Sequence, residues 1–120
     1  MYENVINGTG KKAKIPGYDI GGKTATGEKS INGKYDKNKL VSSFLAIFPV
    51  KNPKYISLVL FDEPNNKVNL HSPTGGGATA APTTAKILKR ILPILGLAKK
   101  NNKGPDIILT QKDKLNLASY

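Results

Sequence analysis

Three consecutive pieces of the chain set its architecture: Val41-Ser-Ser-Phe-Leu-Ala-Ile-Phe-Pro-Val50, then Lys51-Asn-Pro-Lys54, then Tyr55-Ile-Ser-Leu-Val-Leu-Phe61. Two runs rich in β-branched and aromatic residues, joined across a four-residue turn signal, read as a β-hairpin. Both runs are nearly continuously apolar rather than alternating, so both faces of the hairpin should be covered, which implies helices on each side. One such helix is visible downstream. After Gly75-Gly76-Gly77, with Pro82 suited to a first turn, Ile87, Leu88, Ile91, Leu92 and Leu95 form one stripe at helical spacing that ends near Gly96. Pro93 removes one backbone hydrogen bond near that end. A second helix is not visible.

Working outward, Gly17-Tyr-Asp-Ile-Gly-Gly-Lys-Thr-Ala-Thr26 reads as a short extended segment whose glycines mark close backbone approach. Gly27 to Lys39 reads as a polar loop, and Met1 to Pro16 as the frayed end of an earlier element followed by a loop. From residue 98 to 120 the chain is Lys/Asn-rich with one apolar patch, Ile107-Ile108-Leu109, and reads as a disordered tail. The expected layout is therefore α+β, with antiparallel strands at about 17–26, 41–50 and 55–62 and a helix at about 81–96.

Composition narrows the chemistry. A chain of 120 residues holds one small domain. It has no cysteine and a single histidine, His71, which reads as a loop residue, so thiolate metal sites, cysteine nucleophiles and imidazole clusters are excluded, and no metal or other cofactor is expected. Nineteen basic against eight acidic residues give +11. Only Arg90 is arginine and the lysines are scattered among asparagines, which describes a solvated surface rather than a nucleic-acid face. No run approaches the roughly 20 apolar residues of a spanning helix.

Gly17-Tyr-Asp-Ile-Gly-Gly22-Lys23-Thr24 fits the P-loop pattern G-x-x-x-x-G-K-[ST], and Ile56 to Asp62-Glu63 imitates the acid-tipped strand that accompanies it. A P-loop needs a buried strand before the glycines and a helix starting at the Lys-Thr. Here Lys11, Lys12, Lys14 and Pro16 precede, and two glycines and poor helix formers follow. A small nucleotide binder remains the alternative reading on these letters. Asp62-Glu63 reads as a strand end before Pro64, its side chains directed apart, rather than a paired-carboxylate site.

Taken in order, Asn7-Gly-Thr-Gly-Lys-Lys-Ala13, Ile15-Pro-Gly-Tyr-Asp-Ile-Gly-Gly-Lys-Thr-Ala-Thr-Gly-Glu-Lys29, Ser43-Phe-Leu-Ala-Ile-Phe-Pro-Val50, Tyr55 to Pro64, and Gly76-Gly77 to Ala80-Ala81-Pro82 resemble the C-terminal part of bacterial penicillin-binding protein transpeptidases. The likeness runs from about Val5 to Leu97 and is closest to the class B type, which carries no glycosyltransferase domain. It implies a partial penicillin-binding protein/serine β-lactamase-like fold over 1–97, with the upstream remainder of the domain as a necessary partner. Lys23-Thr24-Ala25-Thr26 falls on the family's K-T-G-T element. By resemblance Lys23 supplies positive charge to the cleft, the Thr24 hydroxyl binds the carboxylate of a D-Ala-D-Ala stem or a β-lactam, and the Thr26 backbone amide is one oxyanion-hole donor. Ala25 stands where the family has glycine, and its methyl is expected to crowd the neighbouring backbone or the ligand. The glycine run at Gly75 to Gly77 reads as loop variation.

The family's S-x-x-K nucleophile pair and its S-x-N element lie upstream of K-T-G, and no serine in this chain is followed by lysine at the third position. Ser30-Ile31-Asn32 matches S-x-N in letters but lies downstream. Without a nucleophile this segment alone does not catalyse acyl transfer. The resemblance implies a parent enzyme that crosslinks peptidoglycan at the periplasmic face of the bacterial inner membrane, binds β-lactams and works with cell-wall synthesis proteins, without nucleic acid. A non-catalytic remnant is the other reading. In this fold the strand matching Tyr55 to Phe61 pairs with the domain's first strand, so its outer edge is expected to be unpaired here.

Overall fold

The computed structural model describes residues 1–64 and 74–100. A short helix α1 (Tyr2–Ile6) and a single 3-10 turn (Lys11–Ala13) lead into three strands, β1 (Gly21–Ile31), β2 (Lys34–Phe48) and β3 (Tyr55–Asp62), followed by helix α2 (Ala80–Ile94). The strands form one antiparallel sheet in the order β1-β2-β3. This is the expected α+β architecture with three antiparallel strands and a helix.

The predicted hairpin is β2 and β3. It is closed by the pairing of Phe48 with Tyr55, whose rings stack with centroids 5.7 Å apart. Its alternation sorts the sheet into two faces. Ser42, Phe44, Ala46 and Phe48 point to the face under α2 and are buried, together with Thr84, Leu88 and Leu92 of the helix. Val5 of α1, Ala13 and Ile20 complete that core.

The opposite face is open. Ile56, Leu58 and Leu60 of β3 are 72%, 60% and 55% exposed, so α2 covers one side of the hairpin and no described element covers the other. Among the described residues, the outer edge of β3 pairs with no strand.

Two expectations change. Residues 27–39 are not a loop: β1 runs on to Ile31 and β2 starts at Lys34, with Asn32 (φ 51°) and Gly33 (φ 78°) as the turn. Positive φ at both central positions is the geometry that an Asn-Gly pair closes most easily between strands. The segment reads as a loop in sequence because most of this tip is exposed on both sides, leaving no buried face to write a period of two. The N-terminal piece is likewise folded rather than frayed, with Val5 1% exposed.

At the other end of the described chain, the Lys100 amide donates to Gly17 O at 2.8 Å and its ammonium pairs with Asp19. Residues 101–120, including the Ile107 to Leu109 patch, and His71 lie outside the described residues.

Candidate active-site edge

Lys23, Thr24, Ala25 and Thr26 lie side by side on β1, which is an edge strand. In an antiparallel pair, successive residues direct their backbone N–H and C=O alternately toward the partner and away from it. Gly22 points away from β2: its N–H donates to Met1 O at 3.1 Å, and its C=O accepts from Asn4 Nδ2 at 3.0 Å. The far side of β2 is consistent, because Phe48 O and Leu40 O accept from Lys54 N and Glu63 N on the β3 side. The register between β1 and β2 is unbroken from Gly21 to Glu28. The amides and carbonyls of Thr24 and Thr26 therefore face the free edge, and those of Lys23 and Ala25 face β2.

Side chains follow the same alternation on the two faces. Thr24 and Thr26 turn to the face under α2. There the Gly76 amide donates to Thr26 Oγ1 at 3.0 Å, and Thr24 Oγ1 lies 2.8 Å from Thr9 Oγ1. Asn4 orders that pair. Its Nδ2 is committed to Gly22 O, so Oδ1 is left to accept the Thr9 proton at 3.0 Å, and Thr24 must then be the donor to Thr9. Lys23 sits on the open face and curls back to the edge, its ammonium donating to Thr24 O at 3.0 Å.

Ala25 is exposed on the open face, opposite the Gly75 to Gly77 segment. Within this chain its methyl projects away from that segment rather than into it. The glycine run, in contrast, is more than loop variation. A methyl on Gly76 would stand 2.3 Å from Ser43 O and 2.7 Å from Ala25 O, and one on Gly77 would stand 2.6 Å from Thr9 O. The segment is held down by Ser42 Oγ, which is buried and donates to Thr74 O.

The far end of β1 is tied across β2. Lys29 Nζ lies 2.9 Å from Asp62 Oδ1 and 2.8 Å from Glu63 Oε1. The two acids were expected to point apart. They converge because Glu63 leaves the strand with φ 49°, its amide donating to Leu40 O at 2.9 Å. These carboxylates make an ion cluster with Lys29, and among the described residues no group of His, Cys, Asp and Glu could hold a metal.

The position of Lys23-Thr24 also decides against a phosphate loop. Both residues are in mid-strand, with no helix starting at them whose amides could cradle a phosphate.

Residues 1–89 match the family described as penicillin binding protein transpeptidase domain. The chain belongs to that family. Among curated relatives, it is 40% identical over 109 residues to the probable peptidoglycan D,D-transpeptidase FtsI of Caulobacter vibrioides, covering 83% of this chain and 18% of that protein. It is 35% identical over 99 residues to the stage V sporulation protein D of Bacillus subtilis, covering 82% of this chain and 15% of that protein. The transpeptidase domain of penicillin-binding protein 3 from Burkholderia pseudomallei superposes with a TM-score of 0.63 at 30% identity, over 88% of this chain and 29% of that one. Penicillin-binding protein 3 of Mycobacterium tuberculosis in complex with ampicillin gives a TM-score of 0.63 at 27% identity, over 85% of this chain and 22% of that one. The chain thus spans under a fifth of the length of these curated relatives. Among the described residues, no helix is long and apolar enough to cross a membrane.

Sequence reasoning placed Lys23 to Thr26 on an extended segment, which the structure shows as edge strand β1, and missed Asn4, Thr9 and the tight seat of Gly76. Asn4 lies 18 residues from its partner Gly22 and belongs to a five-residue helix, too short for a periodic signal. The glycine run was the one available clue, since three successive glycines favour a backbone approach that a side chain would block.

Proposed function

We propose that residues 1–97 form the C-terminal part of a D,D-transpeptidase domain and supply the edge on which a peptidoglycan stem peptide, or a β-lactam in its place, is held for acyl transfer. A serine from the upstream part of the domain attacks the carbonyl of the penultimate D-Ala. The carbonyl oxygen gains negative charge, the tetrahedral adduct collapses with D-Ala as leaving group, and the acyl group passes to an amine of a neighbouring stem. The Thr26 amide is the donor from this chain that meets the developing oxyanion. Lys23 and the Thr24 hydroxyl bind the terminal carboxylate, which takes the Thr24 proton in place of Thr9. The stem peptide lies as an extra strand along β1.

The observation that supports this reading is the strand parity: the Thr26 and Thr24 amides share the free edge, beside a lysine and a hydroxyl suited to a carboxylate. The open apolar face of β2 and β3 accords with a domain whose remainder packs against it. Acting in a complete enzyme at the periplasmic face of the inner membrane, with other cell-wall synthesis proteins, belongs to the same reading. No cofactor enters it.

The test is labelling by a fluorescent penicillin, with this chain joined to the upstream segment that carries S-x-x-K and S-x-N. Thr24→Val is expected to slow acylation by about tenfold or more through loss of one hydrogen bond to a charged group. Labelling that is equally fast in Thr24→Val, or absent in the complete domain, contradicts the proposal.

A further inference from the structure

The free edge of β1 does not run the full length of the strand. At Gly22 both outward backbone groups are already taken, the N–H by Met1 O at 3.1 Å and the C=O by Asn4 Nδ2 at 3.0 Å. The first outward amide left to a peptide strand is that of Thr24, whose carbonyl accepts from the Lys23 ammonium at 3.0 Å, and the next is that of Thr26. A strand laid along this edge can continue past Thr26 toward the hairpin tip, and stops at Thr24 toward the N-terminus of β1.

The stop is built, not incidental. The Asn4 carbonyl accepts from both Gly8 N and Gly10 N at 3.1 Å, and a methyl on Gly8 would stand 2.5 Å from Asn4 Oδ1, so the turn after α1 closes tightly over that side chain. Asn4 Oδ1 is occupied by Thr9, which fixes the amide with its nitrogen toward Gly22. Met1 flanks the same spot, its Cβ 3.3 Å from where a Gly21 methyl would be.

Resting on the substrate reading above, we propose that Asn4 is a specificity-determining residue: by capping the β1 edge at Gly22 it favours a bound peptide that ends beside Thr24 over one that continues along the strand. An antiparallel peptide whose carbonyl meets the Thr26 amide directs its C-terminus toward Gly22. Its terminal carboxylate then stands at Lys23 and Thr24. A peptide continuing beyond that carboxylate first meets Thr24, whose carbonyl already accepts from Lys23, and two residues further must leave the edge or displace Asn4 from Gly22, losing hydrogen bonds that it makes in water. Selection of a chain end thus has two parts, attraction of a carboxylate by Lys23 and Thr24 and exclusion of a continuing chain by Asn4.

The experiment uses two probes on the 120-residue chain, read through the amide resonances of Thr24 and Thr26 in 1H–15N spectra. One is N-acetyl-D-Ala-D-Ala, and the other is the same peptide extended by Gly-Gly-amide. The unmodified chain is expected to bind the first at least about tenfold more tightly. Asn4→Ala is expected to narrow that ratio to about threefold or less, chiefly by improving the extended probe, whereas a merely structural role would weaken both probes together. Asn4→Asp, which keeps the shape and the acceptor for Thr9 but turns an oxygen on Gly22 O, is the second variant and should narrow the ratio likewise. A ratio unchanged in both variants, or near one in the unmodified chain, overturns the edge stop and leaves the substrate reading standing. No response of Thr24 and Thr26 to either probe overturns the substrate reading and the edge stop with it.

Discussion

Gly76 donates its amide to the Thr26 hydroxyl at 3.0 Å while its own Cα lies over the carbonyls of Ala25 and Ser43. The turn that begins α2 is thereby fastened to the strand that bears the proposed acyl-transfer edge. The fully buried Ala80 and Ala81 hold the other end of the same turn in the core, the Ala81 amide donating to Gly76 O. Packing on α2 is passed to Thr26 through a single glycine.

Gly76→Ala should therefore be costly. A methyl 2.3 Å from one backbone carbonyl and 2.7 Å from another cannot be relieved by a rotamer change, so the turn must lift from β1 and lose its bond to Thr26. Overpacking of this kind costs about 1–3 kcal/mol. Urea unfolding is expected to report that loss, while Gly27→Ala, where a methyl meets nothing within 4 Å, stays within about 1 kcal/mol of the parent chain. Equal effects at the two glycines would show that the turn does not sit on the strand.

The two faces of the sheet give a second contrast. Leu88 is fully buried under the sheet, and Leu88→Ala should cost about 2–5 kcal/mol. Leu58 is 60% exposed, and Leu58→Ala should cost less than about 1 kcal/mol in this chain. The difference should vanish in a complete domain that covers the open face, where Leu58→Ala approaches the cost of Leu88→Ala. Chemical unfolding of both variants in both contexts checks this, and a large cost for Leu58→Ala in the isolated chain would mean that the face is already covered.

The hydrogen bond to Glu63, followed by that to Asp62, holds the Lys29 ammonium above its ordinary value of 10.5. A raised value in the folded chain means that folding favours the protonated form. The contribution of Lys29 to stability is thus complete below pH 10.5 and is lost as pH rises through the higher folded value. The melting temperature of the parent chain should exceed that of Lys29→Met by a constant margin at neutral pH, and the margin should shrink at strongly alkaline pH. High salt should reduce it too, because all three side chains are partly exposed. A margin that shrinks between pH 6 and 9 would place the responsible proton elsewhere.

How much of this was legible in the sequence depends on how local the determining physics is. The β2–β3 hairpin and the α2 stripe were readable because their apolar runs are long and face one core. The tip around Asn32-Gly33 was not, although the Asn-Gly pair is a strong turn signal, because polar residues on both faces hide the strand period. At the edge, Lys23 to Thr26 could be placed by the family's motif order, but which amides point outward required the observed partners of Gly22. Asn4 and Thr9 act through contacts with β1 that only the folded chain creates. Ala25 is exposed in the chain because strand alternation places its methyl on the open face, away from the Gly75 to Gly77 segment.

The most direct test of the proposed acyl-transfer edge is Thr26→Pro in the complete domain, with acylation by a fluorescent penicillin followed in time. Proline removes the outward N–H, and an edge position whose N–H faces away from the sheet is where a strand tolerates it. Loss of one oxyanion donor is worth about 10²–10³ in rate. The expected result is a fall of that size relative to Thr26→Val, which loses the same hydroxyl bond to Gly76 but keeps the amide. Acylation within about threefold of Thr26→Val, in a domain that folds equally well, would contradict the assignment of the Thr26 amide as oxyanion donor.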